Sequence, residues 1–281
     1  MLDLPHLLEP EQLLPLLGDP RLLIVDLSKQ AVHQEAHLPG AVFVPFQALV
    51  HGQAPATGHL PDATRLNELL TWLGLHPELH VVAYDDEGGG WAGRFLWTLE
   101  IAGHQRWSYL NGGLVAWMQA GLPTESTLNA PRSHAPGSQD YAWDHRHVAV
   151  LDDLLEALER EDTDLVVWDA RSPEEYHGLR QFAQRSGHIP GAINYEWTRA
   201  MDRNRGLRLR PLEELRAELA ALGIRADKDI VTHCHTHHRS GLTWLIGRLL
   251  GFPRLRAYAG SWSEWGNHRH TPIDTSKPPR D

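Results

Sequence analysis

The chain repeats itself, and this repeat constrains the fold more than any other feature of its 281 residues. The first half contains LLIVDLSKQAVHQEAHLPGAVFVPF from Leu22, and the second contains LVVWDARSPEEYHGLRQFAQRSGHIPGAINYEW from Leu165. Each stretch has an apolar strand that ends in Asp, then a spacer, then the pattern H-[LI]-P-G-A. The second spacer is eight residues longer. Shared elements in a fixed order are the sequence signature of a duplicated unit.

The match extends into the rest of each half. TWLGLHPELHVVAYD aligns with AALGIRADKDIVTHC, which places Asp85 opposite Cys234. YLNGGLVAW aligns with AYAGSWSEW, which places Trp117 opposite Trp265. These two alignments, the strand that ends in Asp and the H-[LI]-P-G-A pattern are four anchors of the repeat, and they recur at offsets of 143 to 151 residues. Chance likeness between α/β units is the alternative, and the common order of the anchors favours duplication.

Each half alternates short Val/Ile/Leu runs with amphipathic runs. This alternation predicts an α/β fold of two tandem domains, each a mainly parallel sheet covered by helices on both faces. A segment rich in Pro, Ser, Thr and Asn separates the halves and indicates a linker. We therefore expect one domain over residues 1–122, a linker over 123–143 and a second domain over 144–281.

The composition limits the partners and the compartment. The net charge is −10, with 36 acidic against 26 basic side chains, which argues against binding to nucleic acid or anionic lipid. A single cysteine cannot form an intramolecular disulfide, so stability does not depend on an oxidising compartment. Neither a secretory signal nor a membrane-spanning run is evident. A cytoplasmic protein with no membrane partner is the expectation.

The one cysteine, Cys234, lies in HCHTHHRSG, residues 233–241. The β-rich run DIVTHC ends on it, and a helical run begins near Ser240, so a tight turn from a parallel strand into a helix is predicted. Ligands bind at the carboxyl ends of such strands, and a helix start favours an anion. A thiol there has a lowered pKa, and Arg239 and any protonated histidine would lower it further. A reactive Cys234 is therefore predicted.

Two other interpretations of this loop stay open. A lone cysteine is commonly a small buried hydrophobe, although polar and cationic neighbours fit burial poorly. A closed zinc site gathers paired ligands from separated segments, whereas the candidate ligands here are crowded into one turn. We expect no native metal, and a histidine-rich metal-binding module remains an alternative. The candidate ligands are His233, Cys234, His235, His237 and His238.

Taken together, these motifs resemble the tandem-domain rhodaneses, which are sulfurtransferases of the thiosulfate and 3-mercaptopyruvate type. The resemblance rests on the repeat, on YDDEGGGWAGRFLW in the first half, and on HCHTHHRSG followed by YAGSWSEW, and it covers nearly the whole chain. The loop is similar to that of bacterial rhodaneses with Cys-x-Thr-His-His-Arg. The family implies a catalytic second domain and an inactive first domain. Asp85 agrees, because an aspartate cannot carry sulfane sulfur.

The resemblance also implies covalent catalysis in two half-reactions without a cofactor. Cys234 would take sulfur from a small anionic donor such as thiosulfate, hold it as a persulfide, and pass it to cyanide, a thiol or a sulfur-accepting protein. Arg239 and His235 are expected to contact the substrate, while backbone N–H groups of the loop cradle the sulfur. The other loop residues would shape the turn: Thr236, His237, His238 and Ser240.

The length and composition of the loop discriminate between the alternative activities. Phosphatases related by fold have a longer loop, whereas only four residues separate Cys234 from Arg239, which suits one sulfur atom better than a phosphate. The loop also lacks the basic pair and the Gly-Ser-Gly stretch of the best-known members. Glu175 stands where those enzymes have a substrate-binding arginine. A 3-mercaptopyruvate sulfurtransferase and a persulfide carrier for protein partners therefore remain alternatives, with a phosphatase less favoured.

A few residues outside the loop are secondary candidates. The resemblance places Trp197 near the loop, with core packing as an equal alternative. Asp169 could bond the loop or pair with Arg171, and a structural role is favoured for both. His37 and His188 recur in both halves, including the half without a cysteine, so their role is expected to be structural.

Overall fold

The computed structural model describes residues 2–131, 141 and 143–275. Its two compact units each include a short segment from the other half of the sequence: the first comprises Met1–Val50, Pro61–His145 and Met201–Leu209, and the second comprises His51–Leu60, Arg146–Ala200 and Arg210–Asp281. The boundaries expected at residues 122 and 143 stay a prediction. Residues 132–140 and 142 of the expected linker lie outside the described residues.

The first unit contains a five-stranded parallel sheet in the order β1-β5-β4-β2-β3. All residues of β2 and β4 are buried, so both faces of the sheet are covered. An antiparallel pair, β9 and β10, belongs to the same unit. The strands are β1 Leu7–Leu8, β2 Leu22–Asp26, β3 Val42–Phe43, β4 His80–Tyr84, β5 Trp107–Leu110, β9 Met201–Asp202 and β10 Arg208–Leu209; the helices are α1 Pro10–Leu13, α2 Gln30–Glu35, α3 Ala63–Trp72, α4 Gly90–Ile101 and α5 Gly113–Gln119.

The second unit contains a parallel sheet with the equivalent order, β6-β12-β11-β7-β8. Its central strand β11 pairs with β7 in a register that places His233 beside Asp169. The carboxyl ends of both strands therefore meet at one edge of the sheet. The strands are β6 Val148–Ala149, β7 Leu165–Asp169, β8 Ile193–Asn194, β11 Asp229–His233 and β12 Leu255–Tyr258; the helices are α6 Leu151–Glu159, α7 Pro173–Tyr176, α8 Leu212–Leu222, α9 Arg239–Leu249 and α10 Ser261–Trp265.

The identical strand orders confirm the duplication and the mainly parallel α/β architecture. Local sequence explains where the elements begin. In α3, for example, the Asp62 side chain accepts a hydrogen bond from the N–H of Arg65 and caps the helix, while Leu66 and Leu70 form its buried face. None of the helices in the described ranges combines the length and apolar character that a bilayer span requires.

The two recurring histidines have matching positions. The backbone of His37 forms an antiparallel bridge with Glu125, and the backbone of His188 forms one with Asp274. The His37 ring stacks on His33 with centroids 3.9 Å apart, and the His188 ring stacks on Tyr176 at 3.6 Å. Both rings are buried, and the two backbone bridges hold Glu125 and Asp274, which follow the last helix of each half, against their own unit. This is a structural role.

We expect Gly113→Ala to destabilise the first unit far more than Gly121→Ala. Both glycines have positive φ, 56° and 68°, so both variants incur the left-handed penalty of about 1–2 kcal/mol. Only at Gly113 would the new Cβ lie within 3.0 Å of a backbone oxygen, that of Asp85, whereas nothing lies within 4 Å at Gly121. Chemical denaturation of the three proteins measures the difference. Equal losses of unfolding free energy would contradict the described backbone packing.

Candidate active site around Cys234

The candidate site is the turn that joins β11 to α9. Cys234 follows the last residue of the strand, and α9 begins at Arg239, so the predicted strand–loop–helix arrangement is confirmed. His237 has φ 54°, a left-handed conformation that few residues other than glycine adopt. A backbone in this state persists only where its surroundings hold it. The loop is therefore a tight turn that needs support from neighbouring elements.

The start of α10 provides part of that support. The N–H groups of Trp262 and Ser263 donate to the carbonyl oxygens of Cys234 and His235, at 3.0 and 2.9 Å. The Ser261 hydroxyl oxygen accepts a hydrogen bond from the N–H of His237 at 3.1 Å. Sequence reasoning missed Ser261, although it lies inside the YAGSWSEW repeat element. Its left-handed φ of 52° corresponds to that of Gly113 in the first half.

Cys234 is fully buried, contrary to the expectation that its polar neighbours would keep it accessible. Burial has the largest influence on its ionisation and by itself would raise the pKa of the thiol. The charge of Arg239 and the hydrogen bonds from Ser240 outweigh burial, so the pKa of Cys234 is lowered from its ordinary value. The sequence missed the burial because it cannot show how α10 closes over the turn. The lowered pKa was predicted.

The guanidinium of Arg239 is held by Glu175 of α7. Arg239 donates through both terminal nitrogens to the two carboxylate oxygens, with Nη2 and Oε1 2.9 Å apart. Glu175 is 4% exposed. Burial alone would raise the pKa of the Glu175 carboxyl, but Arg239 outweighs it and the pKa is lowered. The residue that stands in the place of the family's arginine is therefore the counterion of the predicted substrate contact.

At least two of the loop imidazoles are neutral near pH 7. Burial lowers the pKa of His233 to about 4, and burial together with Arg239 lowers the pKa of His235. These two imidazoles therefore add no positive charge that would lower the pKa of the thiol. His237 has a different role, since its Nδ1 lies 2.7 Å from the Ser240 hydroxyl and links the middle of the turn to the start of α9. Arg239 is the permanent cation of the loop.

Asp169 and Arg171 form a buried pair beside the loop. The Arg171 Nη2 donates to Asp169 Oδ2 at 2.6 Å and to the Gly187 carbonyl at 2.9 Å, and the guanidinium lies 4.3 Å from the ring centroid of Trp262. Burial alone would raise the pKa of Asp169, but Arg171 and His233 outweigh it and the pKa falls to about 2. The geometry favours the structural role for this pair, with Asp169 also 3.5 Å from His233 Nε2.

Two aromatic rings flank the loop. The Trp197 and His238 ring centroids are 5.7 Å apart, so Trp197 lies against the loop, where the resemblance places it. The Phe182 and His235 centroids are 5.9 Å apart. Phe182 belongs to the longer spacer of the second half, and it is 53% exposed. The second spacer is eight residues longer than the first, and this difference in length is the sequence signal that would have identified the segment.

The first unit has the same turn with a carboxylate in place of the thiol. Asp85 is fully buried, and its Oδ1 accepts from the N–H groups of Glu87, Gly88 and Gly89 at 3.1, 3.0 and 2.8 Å. Its Oδ2 accepts from the N–H of Ala92 at 3.0 Å. Burial raises the pKa of Asp85 to about 6. The turn is thus a backbone cradle for a negatively charged group, which in this unit is its own side chain.

A resident metal ion has no site in the described part of the chain. Within residues 2–131, 141 and 143–275, no group of three or more His, Cys, Asp or Glu side chains is placed to hold one.

Comparison with known proteins assigns the two domains that contain these turns to a family. The sequence profile of the rhodanese-like domain matches residues 9–120 and, a second time, residues 150–268. The chain belongs to the rhodanese family. The resemblance and the tandem-domain α/β fold expected from the sequence are confirmed.

Relatives and solved structures agree with this assignment. The rhodanese is 49% identical over 272 residues to a thiosulfate sulfurtransferase from Azotobacter vinelandii, covering 97% of this chain and 98% of the relative. It is 33% identical to the sulfur carrier protein TtuD from Thermus thermophilus over 92% of each chain. Its fold matches the anaerobic ergothioneine biosynthesis enzyme from Chlorobium limicola with a TM-score of 0.84 and 23% identity, over 97% of this chain and 71% of that one.

Replacing Glu175 by glutamine should lower the pKa of Cys234 further, by up to about one unit, because Arg239 loses its counterion and acts fully on the thiolate. The ultraviolet absorbance of the thiolate, followed against pH, reports this value without interference from a second cysteine. Glu174→Gln is the matched control, since Glu174 is the exposed neighbour on the same helix. An unchanged thiol pKa in Glu175→Gln would contradict the electrostatic account.

Proposed function

We propose that this rhodanese is a thiosulfate-type sulfurtransferase that carries sulfane sulfur on Cys234. The observation that carries the proposal is a fully buried thiol with a lowered pKa at the carboxyl end of a parallel strand. A thiolate is the nucleophilic form of cysteine, and burial separates a reactive intermediate from water. The name of the A. vinelandii relative supports the same reaction. Because catalysis needs a free thiol, we place the enzyme in the cytoplasm.

In the first half-reaction the Cys234 thiolate attacks the outer sulfur of thiosulfate. A new S–S bond forms, the S–S bond of the donor breaks, and sulfite leaves with the electron pair. The product is a persulfide whose terminal sulfur carries the negative charge. Arg239 is the charged residue with the largest effect on the Cys234 thiolate, and we assign the loop N–H groups as hydrogen-bond donors to the terminal sulfur. The Asp85 turn supports this assignment, because the equivalent backbone there cradles an anionic group.

In the second half-reaction an acceptor attacks the terminal sulfur. With cyanide, a C–S bond forms, the S–S bond of the persulfide breaks, and thiocyanate leaves. The electron pair returns to Cys234, which is again a thiolate. No proton, electron or cofactor is required for either step. His235 and Arg239 are the proposed substrate contacts, and Thr236, His237, His238 and Ser240 shape the turn that holds the sulfur.

Two sulfur donors fit the charge of the loop. Glu175 neutralises Arg239, so the loop offers a dianion such as thiosulfate less positive charge than the sequence suggests. A carboxylate donor such as 3-mercaptopyruvate carries less charge and is the alternative. With 3-mercaptopyruvate the same S–S bond forms, the C–S bond of the donor breaks, and pyruvate leaves after its enolate takes the proton of the donor thiol.

A protein acceptor is a second candidate for the last step, favoured by the surface beside the loop. Leu179 and Phe182 are 66% and 53% exposed, and the Arg180 guanidinium lies 5.0 Å from the Phe182 ring centroid. Phe182 contacts His235, the neighbour of Cys234. An acceptor that presents an apolar and acidic surface around its thiol would fit this segment. The printed name of the TtuD relative, a sulfur carrier protein, agrees with this route.

Phosphate and metal chemistry have less support. Only four residues separate Cys234 from Arg239, and one of them, His237, is left-handed, so the turn is short for wrapping a phosphate group. No metal-binding group of side chains exists among the described residues. A phosphatase and a metal-binding module therefore rank below sulfur transfer.

Initial rates with thiosulfate and cyanide varied together test the proposal. We expect parallel double-reciprocal lines, because sulfite leaves before cyanide reacts, and we expect no thiocyanate from Cys234→Ser. Activity confined to 3-mercaptopyruvate would keep the persulfide route and change the donor. Intersecting lines, or thiocyanate formation that survives in Cys234→Ser, would contradict the persulfide on Cys234.

A further inference from the structure

The compact unit that contains Cys234 also contains residues 51–60, which come from the first half of the sequence. We call them the 51–60 segment. The segment follows the 3₁₀ helix Phe46–Leu49 and precedes α3. It closes on itself, since the N–H of His51 donates to the carbonyl oxygen of His59 at 2.7 Å. The sulfur-transfer proposal gives this segment no role.

Gly58 brings the segment directly against the catalytic turn. A Cβ atom on Gly58 would lie within 3.0 Å of the carbonyl oxygens of both Thr236 and Ala259. Real Cβ atoms do not approach other atoms so closely, so only glycine allows this contact. The backbone of the segment therefore packs on the middle of the loop and on Ala259, two residues before α10.

The peptide group that Gly58 contacts is held from both ends. A peptide unit is planar, so the Thr236 carbonyl and the His237 N–H turn together. The His237 N–H donates to Ser261 Oγ at 3.1 Å, while the carbonyl oxygen at the other end faces Gly58. This peptide leads into the left-handed His237, where a free loop would relax to a commoner conformation.

His59 fastens the segment in this position. Its Nε2 donates to Glu264 Oε1 at 3.0 Å, and Glu264 Oε2 accepts from the Tyr258 hydroxyl at 2.7 Å. Glu264 lies on α10, the helix whose first residues bond to the carbonyls of Cys234 and His235. Burial alone would raise the pKa of Glu264, but the bonds from His59 and Tyr258 outweigh it and the pKa is lowered. The hydrogen bond from His59 to Glu264 is therefore charge-assisted.

We propose that His59 is a positioning residue for sulfur transfer, which holds Gly58 against the Thr236–His237 peptide through its hydrogen bond to Glu264. The inference rests on the proposed function of Cys234. It assigns part of the catalytic unit's support to the sequence half that lacks the cysteine. His59 does not touch the sulfur, and its effect reaches the loop through Gly58 and α10.

Single-turnover kinetics of the full chain test this role. Sulfur is loaded from thiosulfate and removed by cyanide, with the rate constant and the amplitude of each step followed by quenched-flow mass measurement. In His59→Ala we expect both rate constants to fall about tenfold, because the bond to a charged group is lost while the loadable fraction of protein stays at the wild-type level. His59→Gln, whose amide can donate from a similar position, should recover most of the rate. His51→Ala, in the same segment, is the matched control.

A further variant tests the contact with the loop itself. Gly58→Ala should slow both steps, and its effect should not add to that of His59→Ala, because the two changes break one contact. Rate constants in His59→Ala equal to those of wild type and His51→Ala would overturn the proposal. A lower amplitude at an unchanged rate would show a structural role alone, and equal losses in His59→Ala and His59→Gln would exclude the hydrogen bond as the cause. Failure of the wild-type chain to load sulfur would instead remove the proposed function on which the inference rests.

Discussion

The site depends on the stabilisation of a negative charge on a thiol that solvent does not reach. Removing Cys234 from water opposes ionisation, and this is the largest single influence on its pKa. Arg239 and the hydrogen bonds of Ser240 reverse the balance, and both residues reach the thiol because the turn is short and they are the first two residues of α9. The Glu175 carboxylate then sets how much of the Arg239 charge remains available. The reactivity of the thiol therefore follows from the charges of the thiolate, Arg239 and Glu175 and from the short turn that brings them together.

The duplicated turn shows what the backbone contributes apart from the cysteine. In the first unit the N–H groups of Gly88 and Gly89 converge on the Asp85 carboxylate, which fills the turn. In the second unit a backbone hydrogen bond from Ser240 lowers the pKa of the Cys234 thiol. A backbone that can cradle an anion is thus common to both units, while a nucleophile is present in one. Duplication of one unit accounts for the pair more simply than independent origin.

The sequence predicts the fold well because the fold depends on local patterns. The apolar strands, the amphipathic helix at Ala63–Trp72 and the turn before α9 all come from periodicity and from residues close in the chain. The reactive cysteine follows from the same local pattern. The exchange of residues 51–60 and 201–209 between units could not be predicted, because it depends on contacts between segments far apart in sequence.

The same limit applies to the site. Glu175 looks like a missing substrate contact in the sequence, and only the structure shows that it pairs with Arg239, 64 residues away. The burial of Cys234 and the neutral state of His235 follow from how neighbouring elements close over the loop, so composition gives the wrong impression of both.

The measurement that tests the central claim most directly is the intact mass of the purified protein before and after thiosulfate, and again after cyanide, with the modified residue located by peptide fragmentation. A persulfide on Cys234 predicts a gain of one sulfur atom per chain, located at Cys234, reversed by cyanide and absent from Cys234→Ala. Unchanged mass with thiosulfate, 3-mercaptopyruvate and a persulfide donor alike, or sulfur that stays in Cys234→Ala, would contradict it.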